Sequence, residues 1–332
     1  MISIVQLILT KRCNMKCLHC CVEASPEGVL PEREHLLKLL FRSIDFCKYL
    51  FSLGGEEGIE FVLFGGEPFC LEIDLLFSVV KTLLEANKNL RIFRNLRVIT
   101  NLSDFKKVEE FIKYFPEVYI STSFDPVIRF SSKVQVEKWL LNYKSLKSLT
   151  DKIYVDFTLT KYLFSFPLIE FVVKNGIDGF SIGLLTYSGR ARRYWRDLYV
   201  TPDQASEFLQ NLFSKLPEKY VGKFKANLKL SGMKCHQSCA DIYLVDLDGR
   251  VFLGNGCIFE VELGNLFVDD FERVIFSPKR MEILGTFPEE CIDCPFFEVC
   301  RGGCFNLRKY VRNEKQRECI GLKKFLERAF SS

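Results

Sequence analysis

The sequence predicts an α/β fold, with six parallel strands joined by helices and then a smaller cysteine-rich unit. Two observations carry this. Strand-like and helix-like stretches alternate six times between residues 3 and 184, and the fourteen cysteines are so unevenly placed that they mark two separate metal-binding regions. Strict alternation argues for parallel strands with right-handed crossovers. A sheet of that kind carries its chemistry on loops at the C-terminal ends of its strands.

The strands are read from short β-branched or aromatic runs at 3–9, 59–64, 96–100, 118–123, 153–159 and 179–184. The helices are read from apolar residues at helical spacing at 34–53, 71–86, 105–114, 133–146 and 166–175. A further helix at 204–215 has a strong start. Thr201 can cap it, Pro202 suits its first position, and Gln204 completes a capping box. That helix and the segment to residue 234 bridge to the cysteine-rich part. There is no internal repeat and no low-complexity segment.

Composition bounds the function. The 332 residues are 48% hydrophobic, with 32 Phe and 12 Tyr, enough for a large and bulky core. A net charge of +4 is too small to argue for nucleic acid or a membrane surface. No apolar run reaches the ~18 residues that would cross a bilayer. Lys11, Arg12 and Lys16 follow the first apolar stretch instead of preceding it, which does not fit a signal peptide. The expected location is the cytoplasm, where cysteines serve metal or redox chemistry more than structural disulfides. Four lie within residues 13–21, Cys47 and Cys70 stand apart, and eight fall between 235 and 319.

The first group contains Cys13-Asn-Met-Lys-Cys17-Leu-His-Cys20, directly after the first strand. Three thiolates on one loop can hold three irons of a cubane and leave the fourth iron open. The alternative is a zinc knuckle with His19 or Cys21 as fourth ligand, although zinc prefers four closed ligands in CxxC pairs. This CxxxCxxC loop resembles the signature of the radical S-adenosylmethionine (SAM) superfamily. In that family it follows the first strand of a partial (β/α)6 barrel of TIM type. The position before the last cysteine is commonly aromatic there and is His19 here. The resemblance implies that Cys13, Cys17 and Cys20 bind a catalytic 4Fe–4S cluster whose unique iron is chelated by SAM. One electron then cleaves SAM to methionine and a 5′-deoxyadenosyl radical, which abstracts hydrogen from a C–H bond.

Gly65-Gly66-Glu67-Pro68 after the second strand is similar to the family's GGEP motif. The glycines let backbone approach closely, and the resemblance implies that Glu67 pairs with the ammonium of SAM. It also assigns SAM contacts to Thr100 and Asn101 at the end of the third strand. Ser121, Ser123 and Asp125 are assigned similarly around the fourth. Each of these also reads as an ordinary polar strand end. Gly189-Arg190-Ala191 resembles a GRA element that brings Arg190 near the active site. The alternative is that Arg190, Arg192, Arg193 and Arg196 form a solvated charged face.

The run Cys291-x2-Cys294-x5-Cys300-x3-Cys304, followed by Cys319, resembles the C-terminal SPASM extension of radical SAM enzymes, which binds two auxiliary 4Fe–4S clusters. Carried over, the resemblance gives one cluster Cys235, Cys239, Cys257 and Cys304, and the other Cys291, Cys294, Cys300 and Cys319. Two zinc sites would use the same eight thiolates. The Asp248-Gly249 hairpin turn is kept, but the stretch from Gly249 to Cys257 is three residues longer than the family's, with the excess at Gly254-Asn255-Gly256. Ile258 stands where anaerobic sulfatase-maturating enzymes carry an acidic base, which argues against a simple copy of that activity. Cys21, Cys47 and Cys70 are left over; Cys47 reads as a small buried apolar residue.

The resulting expectation is a radical SAM barrel over 1–200, a bridge over 201–234 and a SPASM domain over 235–332 with two auxiliary clusters. The expected activity is an oxidoreductase that modifies a peptide or protein side chain, giving an oxidised or crosslinked product while an auxiliary cluster accepts the electron. The cofactors are three 4Fe–4S clusters and SAM, with flavodoxin or ferredoxin as electron donor. Cys13 lies near the start of the chain, so a separate leader-recognition protein or direct substrate binding is expected. The alternatives are a small-molecule dehydrogenase or cofactor-biosynthesis enzyme, and a non-catalytic zinc-binding interaction module.

Overall fold

The computed structural model describes residues 3–54, 57–220, 241–254, 259–300, 302–304, 319 and 323–330. Six strands alternate with helices as the sequence predicts. The order is β1 (Ser3–Thr10), α1 (Arg33–Ser52), β2 (Ile59–Gly65), α2 (Ile73–Leu90), β3 (Phe93–Thr100), α3 (Phe105–Tyr114), β4 (Tyr119–Ser123), α4 (Lys133–Leu149), β5 (Ile153–Leu159), the short α5 (Lys161–Phe164), α6 (Leu168–Asn175) and β6 (Phe180–Leu184). A turn at Gly189–Arg192, the short α7 (Trp195–Leu198) and α8 (Pro202–Lys215) follow. Thr201 and Gln204 form the expected capping box at the start of α8.

Boundaries moved where local chemistry intervened. Pro68–Cys70 forms a 3-10 turn, so α2 starts two residues later than expected, and it runs on to a left-handed Arg91. Pro167 sits at the N-cap of α6 and cuts two residues from its start.

All neighbouring pairs among β1–β6 are parallel, in spatial order 6-5-4-3-2-1. Each strand turns an apolar face toward the helices. In β5, Ile153, Val155, Phe157 and Leu159 are buried, whereas Tyr154, Asp156 and Thr158 are only partly covered. Trp139 of α4 donates to the Thr122 hydroxyl on the helix-facing side of β4. Tyr119, Ser121 and Ser123 therefore point the other way, into the open side of the sheet.

The C-terminal part joins this sheet directly. β7 (Ile242–Val245) pairs in parallel with the free edge of β1, and the antiparallel strands β8 (Arg250–Leu253) and β9 (Glu262–Asn265) complete nine strands. All four β7 residues are buried, as expected of a strand covered on both faces. Gly249, at φ +83, makes the expected hairpin turn between β7 and β8. β6 and β9 are the two edges, so the sheet is an open partial barrel with a hairpin extension. Helix Lys323–Phe330 buries Phe325 and Leu326, and its Lys324 carbonyl accepts from Gln210 of α8. Among the described residues, no helix is long and apolar enough to cross a membrane.

Candidate active site

The loop after β1 carries Cys13, Cys17 and Cys20 at the C-terminal end of the strand. Its base is closed by main-chain bonds: Cys13 N donates to Ser25 O at 2.9 Å, and Lys11 N to Val29 O at 3.0 Å. From β2, Gly66 N donates to Thr10 O at 2.7 Å and Glu67 N to Arg12 O at 2.9 Å. A Cβ on Gly66 would lie 2.1 Å from the Arg12 carbonyl oxygen, so only glycine fits there. The backbone that this glycine lets in is the cysteine loop itself.

Cys13 and Cys17 are buried and Cys20 is partly so. Cys13 Sγ accepts from Met15 N at 3.4 Å and Asn101 Nδ2 at 3.7 Å, and Cys20 Sγ from Ala24 N at 3.3 Å. Burial pushes the Cys13 thiol up to about 12. Burial also raises Cys17, with Arg129 and Arg190 opposing. Iron bound by these thiols would have to displace their protons. Amide donors and two nearby guanidinium groups suit the anionic thiolates that result. The donor set thus fits a cubane held by three cysteines. Among the described residues no three His, Cys, Asp or Glu side chains converge on a single-ion site, which a cubane with one iron per thiolate does not require.

Glu67 is buried beneath this loop and both its oxygens are engaged. Oε1 accepts from the Thr100 hydroxyl at 2.7 Å and Phe69 N at 3.2 Å, and Oε2 accepts from Asn101 N at 2.6 Å. Burial pushes its carboxyl up to about 7 against those three donors. Asn101 extends the network, its amide reaching Asn14 at 2.8 Å. The strand ends of β2 and β3 thus meet the first cysteine through Glu67 and Asn101.

On the other side, Asp125 Oδ2 lies 3.2 Å from His19 Nε2 and 3.5 Å from Arg129 Nε, while Oδ1 accepts from Thr158 N at 3.0 Å. Burial raises the Asp125 carboxyl, but His19, Arg129 and the Thr158 amide outweigh it and hold the group below its ordinary value. His19 Nδ1 and Arg129 Nε are buried without hydrogen-bond partners, polar atoms that a ligand at this mouth would satisfy. Ser121 is buried one layer deeper and receives Arg97 Nη1 at 3.4 Å; Ser123 is half-buried at the strand end.

Arg190 is buried and turned toward the cysteine loop, unlike a solvated face. Arg192 and Arg193 of the same turn are exposed.

Cys291, Cys294, Cys300 and Cys319 line one pocket together with Pro288, Phe296, Phe297 and Leu326, and Cys304 does not. Burial pushes the Cys300 thiol up to about 11, with the neighbouring Cys319 and Cys291 thiols adding to the rise. Cys304 is buried. Cys235, Cys239, Cys257 and Ile258 lie outside the described residues. Cys47 is fully buried in the core, as expected.

Sequence reading missed Arg129, Arg97 and Asp156. Arg129 stands four residues after Asp125, a spacing that pairs charges in a helical turn. Arg97 bonds Glu60 at 2.5 Å, and Asp156 accepts from Ser181 at 2.6 Å. A lone charge in the middle of an apolar strand was the signal for Asp156.

No protein-family model matches the chain. A cysteine-type anaerobic sulfatase-maturating enzyme of Clostridium perfringens is 22% identical, with 96% of this chain and 93% of that protein covered. The solved structure of native anSMEcpe with bound AdoMet and Cp18Cys peptide superposes with a TM-score of 0.71 at 16% identity, covering 99% of this chain and 94% of that one. SuiB of Streptococcus suis, bound to its precursor peptide SuiA, gives 0.57 at 14% identity, over 96% of this chain and 74% of that one. The strand order, the cysteine loop and these likenesses agree, and the chain has the fold of the radical SAM maturases with a cysteine-rich extension that its sequence resembles.

Proposed function

We propose that this protein is a radical SAM enzyme that oxidises or crosslinks a side chain of a peptide or protein. One observation carries the reading: three cysteines on the loop after β1 are held at the mouth of an open parallel barrel. The carboxylate network of Glu67 lies on one side of them and the Asp125, His19 and Arg129 cluster on the other. The relatives support the peptide substrate, since anSMEcpe was solved with the Cp18Cys peptide and SuiB with the precursor peptide SuiA.

Cys13, Cys17 and Cys20 hold the catalytic cluster. With SAM bound, that cluster supplies a 5′-deoxyadenosyl radical able to take a hydrogen atom. The chain's own residues bind and orient. Glu67 receives the ammonium of SAM, and His19 Nδ1 and the Arg129 guanidinium beside Asp125 offer polar contacts to its other groups. The inward residues Ser121, Ser123, Asp156 and Ser181 line the side of the barrel where substrate enters. Burial raises the Asp156 carboxyl against the Ser181 hydroxyl and Arg97, which suits hydrogen bonding to a polar group. Cys291, Cys294, Cys300 and Cys319, and Cys235, Cys239, Cys257 and Cys304, would hold two auxiliary clusters, which would supply an acceptor for the electron that an oxidised product releases. A flavodoxin or ferredoxin supplies the first electron, and a separate recognition protein or the barrel itself binds the peptide.

The test is anaerobic reconstitution with iron and sulfide, then dithionite and SAM, with chromatography for 5′-deoxyadenosine. Wild-type protein is expected to form it, and the Cys13, Cys17 and Cys20 triple alanine variant to form none. Bound zinc without SAM cleavage would sink the proposal.

A further inference from the structure

We propose that the Gly189–Arg192 turn is a clamp on the cysteine loop, with Arg190 as a positioning residue that holds the loop in the shape SAM binding needs. This rests on the function proposed above. Arg190 belongs to the far edge of the sheet, just after β6, yet the groups to which it donates are all near the N-terminus. Nη1 donates to the Cys17 carbonyl at 2.6 Å, Nη2 to the Ala24 carbonyl at 2.7 Å, and the main-chain N to the Cys20 carbonyl at 3.0 Å. One residue thus satisfies three carbonyls of a segment without regular structure, whose buried polar groups need partners.

The neighbours in the turn serve the same contact. Gly189 has φ +49, and a Cβ there would come within 2.4 Å of the carbonyl oxygens of Cys20 and Cys21. Ala191 is fully buried beside Leu18 of the loop, in a small core with Ile128, Leu185 and Leu198. Leu18 N in turn donates to Ile128 O at 3.0 Å. Gly gives the close approach, Arg the bonds and Ala the packing.

The chemistry selects arginine. Two carbonyls on either side of Cys20 are bridged by the two ends of one planar guanidinium, which a single ammonium cannot reproduce. Cys13 has a hold outside the fork, because Asn101 at the end of β3 bonds its sulfur. Loss of the Arg190 fork therefore lets Cys17 and Cys20 shift relative to Cys13. The three thiolates then no longer converge as a bound cluster requires, even where iron is retained.

The experiment uses the full chain with Arg190→Met and Arg190→Lys. In the reconstituted, dithionite-reduced proteins, the SAM concentration that half-converts the electron paramagnetic resonance (EPR) signal is measured; only a cluster with an open iron responds to SAM. In the metal-free proteins, alkylation rates of Cys17 and Cys20 are measured by mass spectrometry, with Cys47 as the core reference. Arg190→Met is expected to need at least about tenfold more SAM and to alkylate at Cys17 and Cys20 about tenfold faster, with Cys47 still protected. Arg190→Lys should recover part of both. Wild-type values in Arg190→Met overturn the clamp. So does equal loss of protection at Cys47 with no recovery by lysine, which marks a general stabiliser. If Arg190→Met fails to fold, Gly189→Ala, whose Cβ pushes against the same carbonyls, is read by the same measurements and against the same outcomes. A wild-type protein with no SAM response overturns the proposed function instead, and the alkylation rates still decide the clamp.

Discussion

Replacing Glu67 with glutamine is expected to weaken SAM binding at least about tenfold and to remove its dependence on pH. Three donors converge on the two Glu67 oxygens, from Phe69, Thr100 and Asn101. Glutamine offers one oxygen and sets an NH2 against at least one of them. A buried donor left unmade costs about 1–3 kcal/mol. The change also removes the negative charge that would meet an ammonium.

The pH behaviour follows from burial, which lifts this carboxyl from 4.5 to about 7. A folded value above the unfolded one means that the stability Glu67 contributes is fully present below pH 4.5. It is lost as pH rises through 7, on the order of 3 kcal/mol over that window. In metal-free protein, the advantage of wild type over Glu67→Gln should therefore shrink between pH 5 and 8 in urea denaturation. SAM reverses the preference, because its ammonium favours the ionised carboxylate. Its dissociation constant should rise by up to tenfold per pH unit below 7 and level off above. Equal affinities at pH 6 and 8 in wild type would remove Glu67 from the SAM site.

The second large effect is in iron. Three cubanes require about twelve irons per chain, and each loss should come in steps of about four. The Cys13, Cys17 and Cys20 triple alanine variant should lose one step together with all 5′-deoxyadenosine formation. Cys300→Ala should also lose one step while SAM cleavage persists, because Cys300 shares its pocket with Cys291, Cys294 and Cys319. Cys304→Ala should spare that same cluster, since Cys304 lies outside the pocket. Iron and sulfide analysis, with SAM cleavage measured on the same samples, checks all three. Loss of SAM cleavage in Cys300→Ala, with the first cluster intact, would contradict the separation of roles.

What the sequence could disclose follows from how local each signal is. The six strand–helix alternations are written in short-range periodicity, and so is the Thr201–Gln204 capping box. The cysteine loop and the Gly65–Glu67 turn are contiguous motifs, and the structure brings both to the same strand ends. Pairing across long chain separations left no local trace. β7 is four residues long and carries the same apolar pattern as a core segment of either type, so nothing in it announced a partner in β1. Arg190 is one of four arginines in a short stretch; only its contacts with Cys17 and Ala24, 173 and 166 residues away, separate it from its exposed neighbours. Arg129 and Asp156 were legible in principle, as charges at inward or paired positions.

The central claim is that Cys13, Cys17 and Cys20 leave one iron open to SAM. It is tested most directly by electron–nuclear double resonance on the reduced protein with SAM labelled with 15N at its amino group. A 15N coupling to the cluster is expected in wild-type protein and is expected to be absent from Cys17→Ala. A reduced cluster on these three cysteines that shows no coupling at saturating SAM would contradict it.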